Sequence, residues 1–61
     1  MTSEEFRTIR HRLGLNQTEL ADIMGTYAQH ISRIERGDRQ PTKLQAAFLR
    51  YIAATRGKGE R

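Results

Sequence analysis

The sequence predicts an all-α domain, a compact bundle of four to five helices, on three observations. Four successive segments each open with Thr or Asn followed three residues later by Glu or Gln, the pairing that caps a helix start reciprocally. Within each segment the apolar residues recur at three- and four-residue spacing. No stretch alternates apolar and polar residues as a half-buried strand would.

The first segment, TSEEFRTIRHRLG, pairs Thr2 with Glu5, carries Phe6, Ile9 and Leu13 along one face, and meets Gly14, which can close a helix in the left-handed conformation. The second, NQTELADIMG, pairs Asn16 with Glu19, carries Leu20, Ala21, Ile23 and Met24, and closes on Gly25. The third pairs Thr26 with Gln29, is expected to be helical over 27–36, and ends at Gly37. The fourth follows Pro41, pairs Thr42 with Gln45, and is expected to lay Leu44, Ala47, Phe48, Tyr51 and Ile52 on the core before the glycines of RGKGER. On that wheel Leu49 and Ala53, with Ala46 beside them, point away from the core.

Sixty-one residues suffice for one core and one site. The expected division is a domain over 1–56 and a short flexible tail over 57–61. Without cysteine there is no disulfide and no cysteine zinc site, so packing, caps or a partner subunit must supply the stability. The start MTSEEF lacks the basic and apolar regions of a secretory signal, and no apolar run approaches the roughly 20 residues of a membrane span. A cytoplasmic protein, prokaryotic or phage-encoded, is expected. Eleven Lys and Arg, most of them arginine, against seven Asp and Glu give a net charge of +4. In so small a chain this favours an acidic partner, nucleic acid first and an anionic membrane surface second. A membrane-surface peptide would need a basic face opposite a large apolar one, whereas these helices share one core.

The joint between the second and third segments narrows the reading. Only Gly25 and Thr26 separate Met24 from Tyr27, so the chain must turn sharply at a residue that tolerates positive φ. Ala21, one turn earlier, is small enough to let the helices cross closely, and Ile31 and Ile34 give the third helix an apolar edge. Together these are the requirements of a helix-turn-helix over about residues 16–36.

The stretch LGLNQTELADIMGTYAQHISRIERGDRQP resembles the DNA-binding domain of the Cro/C1 repressor-like (Xre) family, over about Phe6 to Ile52. The LGLNQTELA entry, Gly25 at the turn and the ISRIERGDRQP exit are its most specific parts. The resemblance implies a lambda-repressor-like fold and a regulator, repressor or autorepressor, that binds a pseudo-palindromic duplex operator as a homodimer. The chain departs from the pattern in lacking the fifth helix many such domains carry and any ligand-sensing domain, so no small-molecule ligand is expected.

A helical wheel of the third segment, centred between Ile31 and Ile34, puts Gln29, Arg33 and Arg36 outward, Ala28 and Ser32 on one flank, His30 on the other, and turns Tyr27 towards the core. Gln29 and Arg33 are the candidate base readers: an amide can exchange two hydrogen bonds with adenine, a guanidinium can donate two to guanine, and Ala28 offers a methyl to thymine. The resemblance implies base contacts at these same three positions. Thr26, Tyr27, His30 and Ser32 are candidates for base or phosphate contact. Gln17, at the start of the second helix where free N–H groups attract anions, is a candidate phosphate contact, with Asn16 beside it. Arg36, Arg39 and Lys43 are candidates for phosphate grip around the following loop. The resemblance further implies a structural ion pair between Arg10 and Glu35, and Ala46, Leu49 and Ala53 are the candidate dimer face.

Other classes find less support. His11 and His30 sit on separate helices without a carboxylate pattern, and nothing resembles a nucleophile motif or a phosphate-cradling glycine loop, so neither an enzyme, a cofactor nor a metal site is expected. An antitoxin-type module, binding a partner protein as well as DNA, is the alternative; the tail RGKGER is short and polar for a toxin-binding segment.

Overall fold

The computed structural model describes residues 1–59. The chain forms α1 (Ser3–Arg12), α2 (Gln17–Met24), α3 (Ala28–Arg36) and α4 (Lys43–Gly59), with no strand among the described residues. α2 packs on α3, and α1 packs on both α3 and α4. The flexible tail expected from residue 57 is helical as far as Gly59; its last two residues lie outside the described ones.

Three helices start on the reciprocal caps the sequence encodes. Thr2 and Glu5 exchange bonds of 2.8 and 3.0 Å, Asn16 and Glu19 bonds of 2.9 and 2.7 Å, and Thr42 and Gln45 bonds of 3.0 Å each way. Each satisfies N–H groups that a helix start otherwise leaves unpaired.

α3 departs from the pattern. Its N-cap is Tyr27, and no side chain caps it. The reason lies in how α2 ends: Gly25 turns left-handed at φ +74°, and the Thr26 N–H closes back on the Ala21 carbonyl at 2.8 Å. Thr26 is thereby part of the exit from α2, and α3 begins one residue later. A side chain at Gly25 would meet nothing within 4 Å, so glycine is required there by the backbone angle alone. Tyr27 is also not turned to the core: as a cap residue in extended conformation it is 80% exposed.

The core joins Phe6 of α1, Leu20 and Ala21 of α2, Ile31 and Ile34 of α3 and Leu49 of α4, with Met1, Ile9, Leu13, Leu15 and Met24 packed around it. This corrects the phase expected for α4. Ala46, Leu49 and Ile52 face inward, whereas Leu44, Ala47, Phe48 and Tyr51 are exposed and Ala53 is half-buried. α4 is apolar on nearly all sides, so its sequence admits two phases. The bulky side chains favour one; packing against α1 selects the other, and only Ile52 belongs to both. With Leu49 fully buried and Ala46 nearly so, neither is available as a dimer contact.

Candidate nucleic-acid interface

α3 presents the basic face. Burying Ile31 and Ile34 fixes its rotation, so that Gln29, Arg33 and Arg36 stand exposed while Ala28, His30 and Ser32 lie half-buried along its flanks. Because Gln29 is not drawn into a cap, its amide is not tied to the helix start. Gln29 and Arg33 are one turn apart and share a concavity with Thr26, Tyr27, His30 and Arg39. Two guanidinium groups and no carboxylate line it. A second hollow runs between the starts of α2 and α3, lined by Thr18, Glu19, Asp22, Thr26, Tyr27 and Ala28 among others.

Other expected contacts lie apart from this concavity. Arg36 pairs with Asp38 at 3.2 Å, both side chains well exposed, so a phosphate would compete with an ion pair that holds only weakly. Lys43, at the first turn of α4, and Ser32 are not among the residues lining it.

Asn16 and Gln17 are engaged within the protein. The Asn16 side chain accepts the Glu19 N–H. The Gln17 amide donates to Glu35 Oε1 at 3.1 Å, so it is already occupied by a carboxylate where a phosphate contact was expected. The backbone N–H at the start of α2 is what Gln17 retains for an anion.

Glu35 is the centre of that arrangement. It is 6% exposed, and Arg10 of α1 grips it with both Nε, 2.5 Å from Oε2, and Nη2, 2.9 Å from Oε1. Arg10 Nη1 also donates to the Leu15 carbonyl at 3.0 Å. Burial alone would raise the Glu35 carboxyl, but the hydrogen bonds from Arg10 and Gln17 and the Arg10 charge outweigh it and hold the group below the usual carboxylate range. One carboxylate at the end of α3 thus ties α1 and the start of α2 to the helix that carries the basic face.

Two connections had no signal in the sequence. The Gln17–Glu35 bond spans 18 residues. His30 Nε2 lies 3.2 Å from Nε2 of Gln45, joining α3 to α4, although spacing assigned Gln45 only to its own cap.

The two short helices α2 and α3, joined through a left-handed glycine with the second carrying an outward basic face, have the geometry of a major-groove reader. A family model described as helix-turn-helix, of the Cro/C1 type, matches residues 6–47, more than half of the chain. The protein is a member of the Cro/C1-type helix-turn-helix family. Comparison with curated proteins and with solved structures gave no significant match. As a helix-turn-helix protein of this type it is a regulator that binds double-stranded DNA. No described helix is long and apolar enough to cross a membrane.

Proposed function

We propose that the protein is a repressor, often of its own operon in the simplest arrangement, which reads a pseudo-palindromic operator through α3 as a homodimer. Gln29 and Arg33 are the base readers, with Ala28 offering its methyl to thymine. Arg39 grips phosphate beside them, and Arg36, Lys43, Tyr27, Thr26 and Ser32 supply further backbone contacts. Asn16 and Gln17 act on phosphate through the start of α2 rather than through the Gln17 amide.

The observation that carries this reading is the shared exposure of Gln29 and Arg33 one turn apart, in a carboxylate-free concavity with Arg39. Phosphate contacts fix register and base contacts give sequence, and this arrangement provides for both. Blocking polymerase is the mechanism that needs nothing beyond DNA binding.

The second protomer is assigned to a different face from Leu49. Leu44, Phe48 and Tyr51 form an exposed stripe at i, i+4 and i+7 on α4, and Ile23 and Met24 of α2 adjoin it. A single domain makes few base contacts, and two half-sites align two such stripes. The experiment is selection of duplexes from a random pool: a repressor of this design enriches a two-fold symmetric site. An asymmetric single site removes the homodimer, and no enrichment removes sequence-specific readout.

A further inference from the structure

His30 stands at the boundary between the basic face and the core. Its ring is half-buried, it lines the same concavity as Arg33 and Arg39, and its Nε2 lies 3.2 Å from Nε2 of Gln45. An amide NH2 can only donate, so the ring nitrogen facing it must be an unprotonated acceptor. Reversing the Gln45 amide is not a way out. Its Oε1 accepts the Thr42 backbone N–H at 3.0 Å, and a reversed amide would set donor against donor there and undo the cap of α4.

The groups that share its concavity bring it no negative charge. The charged groups sharing its concavity are Arg33 of α3 and Arg39 of the following loop; Thr26 and Tyr27 of the turn and Gln29 complete the lining, and Gln45 comes from α4. None is a carboxylate. A phosphate seated among Arg33 and Arg39 reverses the balance, because it brings negative charge and an acceptor to a side chain whose charge can change between about pH 5 and 8.

We propose that DNA binding draws a proton onto His30, converting the ring from an acceptor of Gln45 into a cationic phosphate contact, so that affinity for DNA rises as pH falls through the histidine range. The proposal rests on the reading of the α3 face as the DNA surface. Gln45 acts as a positioning residue: fixed by the cap of α4, its NH2 engages the unprotonated ring nitrogen until a phosphate arrives, and this makes the protein a proton-linked binder.

The test measures dissociation constants of the full chain on a duplex recovered from a random pool, at constant ionic strength, between about pH 6 and 8. Binding should tighten towards acid by up to about tenfold per pH unit, the limit for uptake of one proton. His30→Gln should bind but lose the slope, and His11→Gln, altering the histidine of α1, should keep it. Gln45→Glu preserves a capping partner for Thr42 yet offers the ring a carboxylate, so the proton is held before DNA arrives and the slope flattens. An NMR titration of the His30 ring in the native chain, with and without duplex, reads the same event without any variant, and its midpoint should rise on DNA. A slope that survives His30→Gln or Gln45→Glu, or tight wild-type binding with no slope, overturns the proposal. Failure to bind any duplex at every pH overturns the DNA reading, and this proposal with it.

Discussion

Arg10 and Glu35, 25 residues apart, meet as a two-pronged ion pair with side chains 11% and 6% exposed, and the carboxylate accepts a third bond from Gln17. Three helices converge on it, so it ties α1 and the start of α2 to the end of α3. Removing one partner of a buried pair typically costs about 3–5 kcal/mol, because the other charge is left without compensation. Glu35→Gln should therefore lower the melting temperature sharply at neutral pH. Arg10→Met in the same chain should recover part of the loss, since no charge then remains to be matched. Additive losses in the double variant would mean that the two side chains do not act as a pair.

The same carboxylate gives the protein an acid limb of calculable sign. Glu35 is lowered in the folded chain, while an unfolded glutamate titrates near about pH 4.3. Between the two values the unfolded chain holds a proton that the folded one does not, so stability falls with pH there. The contribution is complete above the unfolded value and is lost as pH drops through the folded one. Thermal melts below about pH 5 should show a shallower decline in Glu35→Gln than in the native protein. Glu5 is lowered as well, by the Thr2 backbone N–H it accepts, so a smaller slope should persist until Glu5→Gln removes it.

What could be read before the structure was local. Thr2, Asn16 and Thr42 announce their caps because a capping box lies within four residues, and Gly25 announces its turn because only a short joint is available. The failures were tertiary. Thr26 has the spacing of a cap, but the closure of α2 on Ala21 uses its N–H first. Leu49 and Phe48 are both apolar neighbours on α4, and only the presence of α1 decides which is buried. For the interface, the outward phase of Gln29 and Arg33 followed from Ile31 and Ile34 on the opposite edge. The Gln17–Glu35 and His30–Gln45 contacts join distant segments and leave no periodic trace.

The phase of α4 is itself testable. Leu49 is fully buried within the core cluster, and truncating such a leucine typically costs about 2–5 kcal/mol through lost burial and the cavity left behind. Leu49→Ala should thus destabilise the protein severely in chemical denaturation. Leu44→Ala, at a side chain 80% exposed, should change stability by no more than about 0.5 kcal/mol. Equal losses would place both residues in the core.

Base readout separates from phosphate grip by comparing selected and random duplexes. Replacing Gln29 or Arg33 with alanine should cost about 1–3 kcal/mol on the selected site and much less on random DNA. Arg39→Ala should weaken both and reduce the salt dependence, because one fewer counterion is released. If all three variants lose affinity equally on both duplexes, Gln29 and Arg33 are phosphate contacts and the assignment of readout to the α3 face fails.

The dimer assignment turns on whether Leu44, Phe48 and Tyr51 are apolar for a partner or merely exposed. A scattered exposed leucine needs no function, but Leu44, Phe48 and Tyr51 are three large exposed residues on one stripe of α4, and Ile23 and Met24 share a concavity with Leu44 and Phe48. Leu44→Glu is the discriminating change. Position 44 lies in the first turn of α4, where a carboxylate interacts favourably with the helix dipole, so the fold should melt at or slightly above the native temperature. On a duplex with two half-sites about one helical turn apart, the native protein should fill both together, and the glutamate, placed against its own copy across the two-fold axis, should make occupancy independent. Single half-site affinity should fall only slightly. Cooperative occupancy that persists in Leu44→Glu and in Phe48→Glu would remove this stripe from the dimer contact.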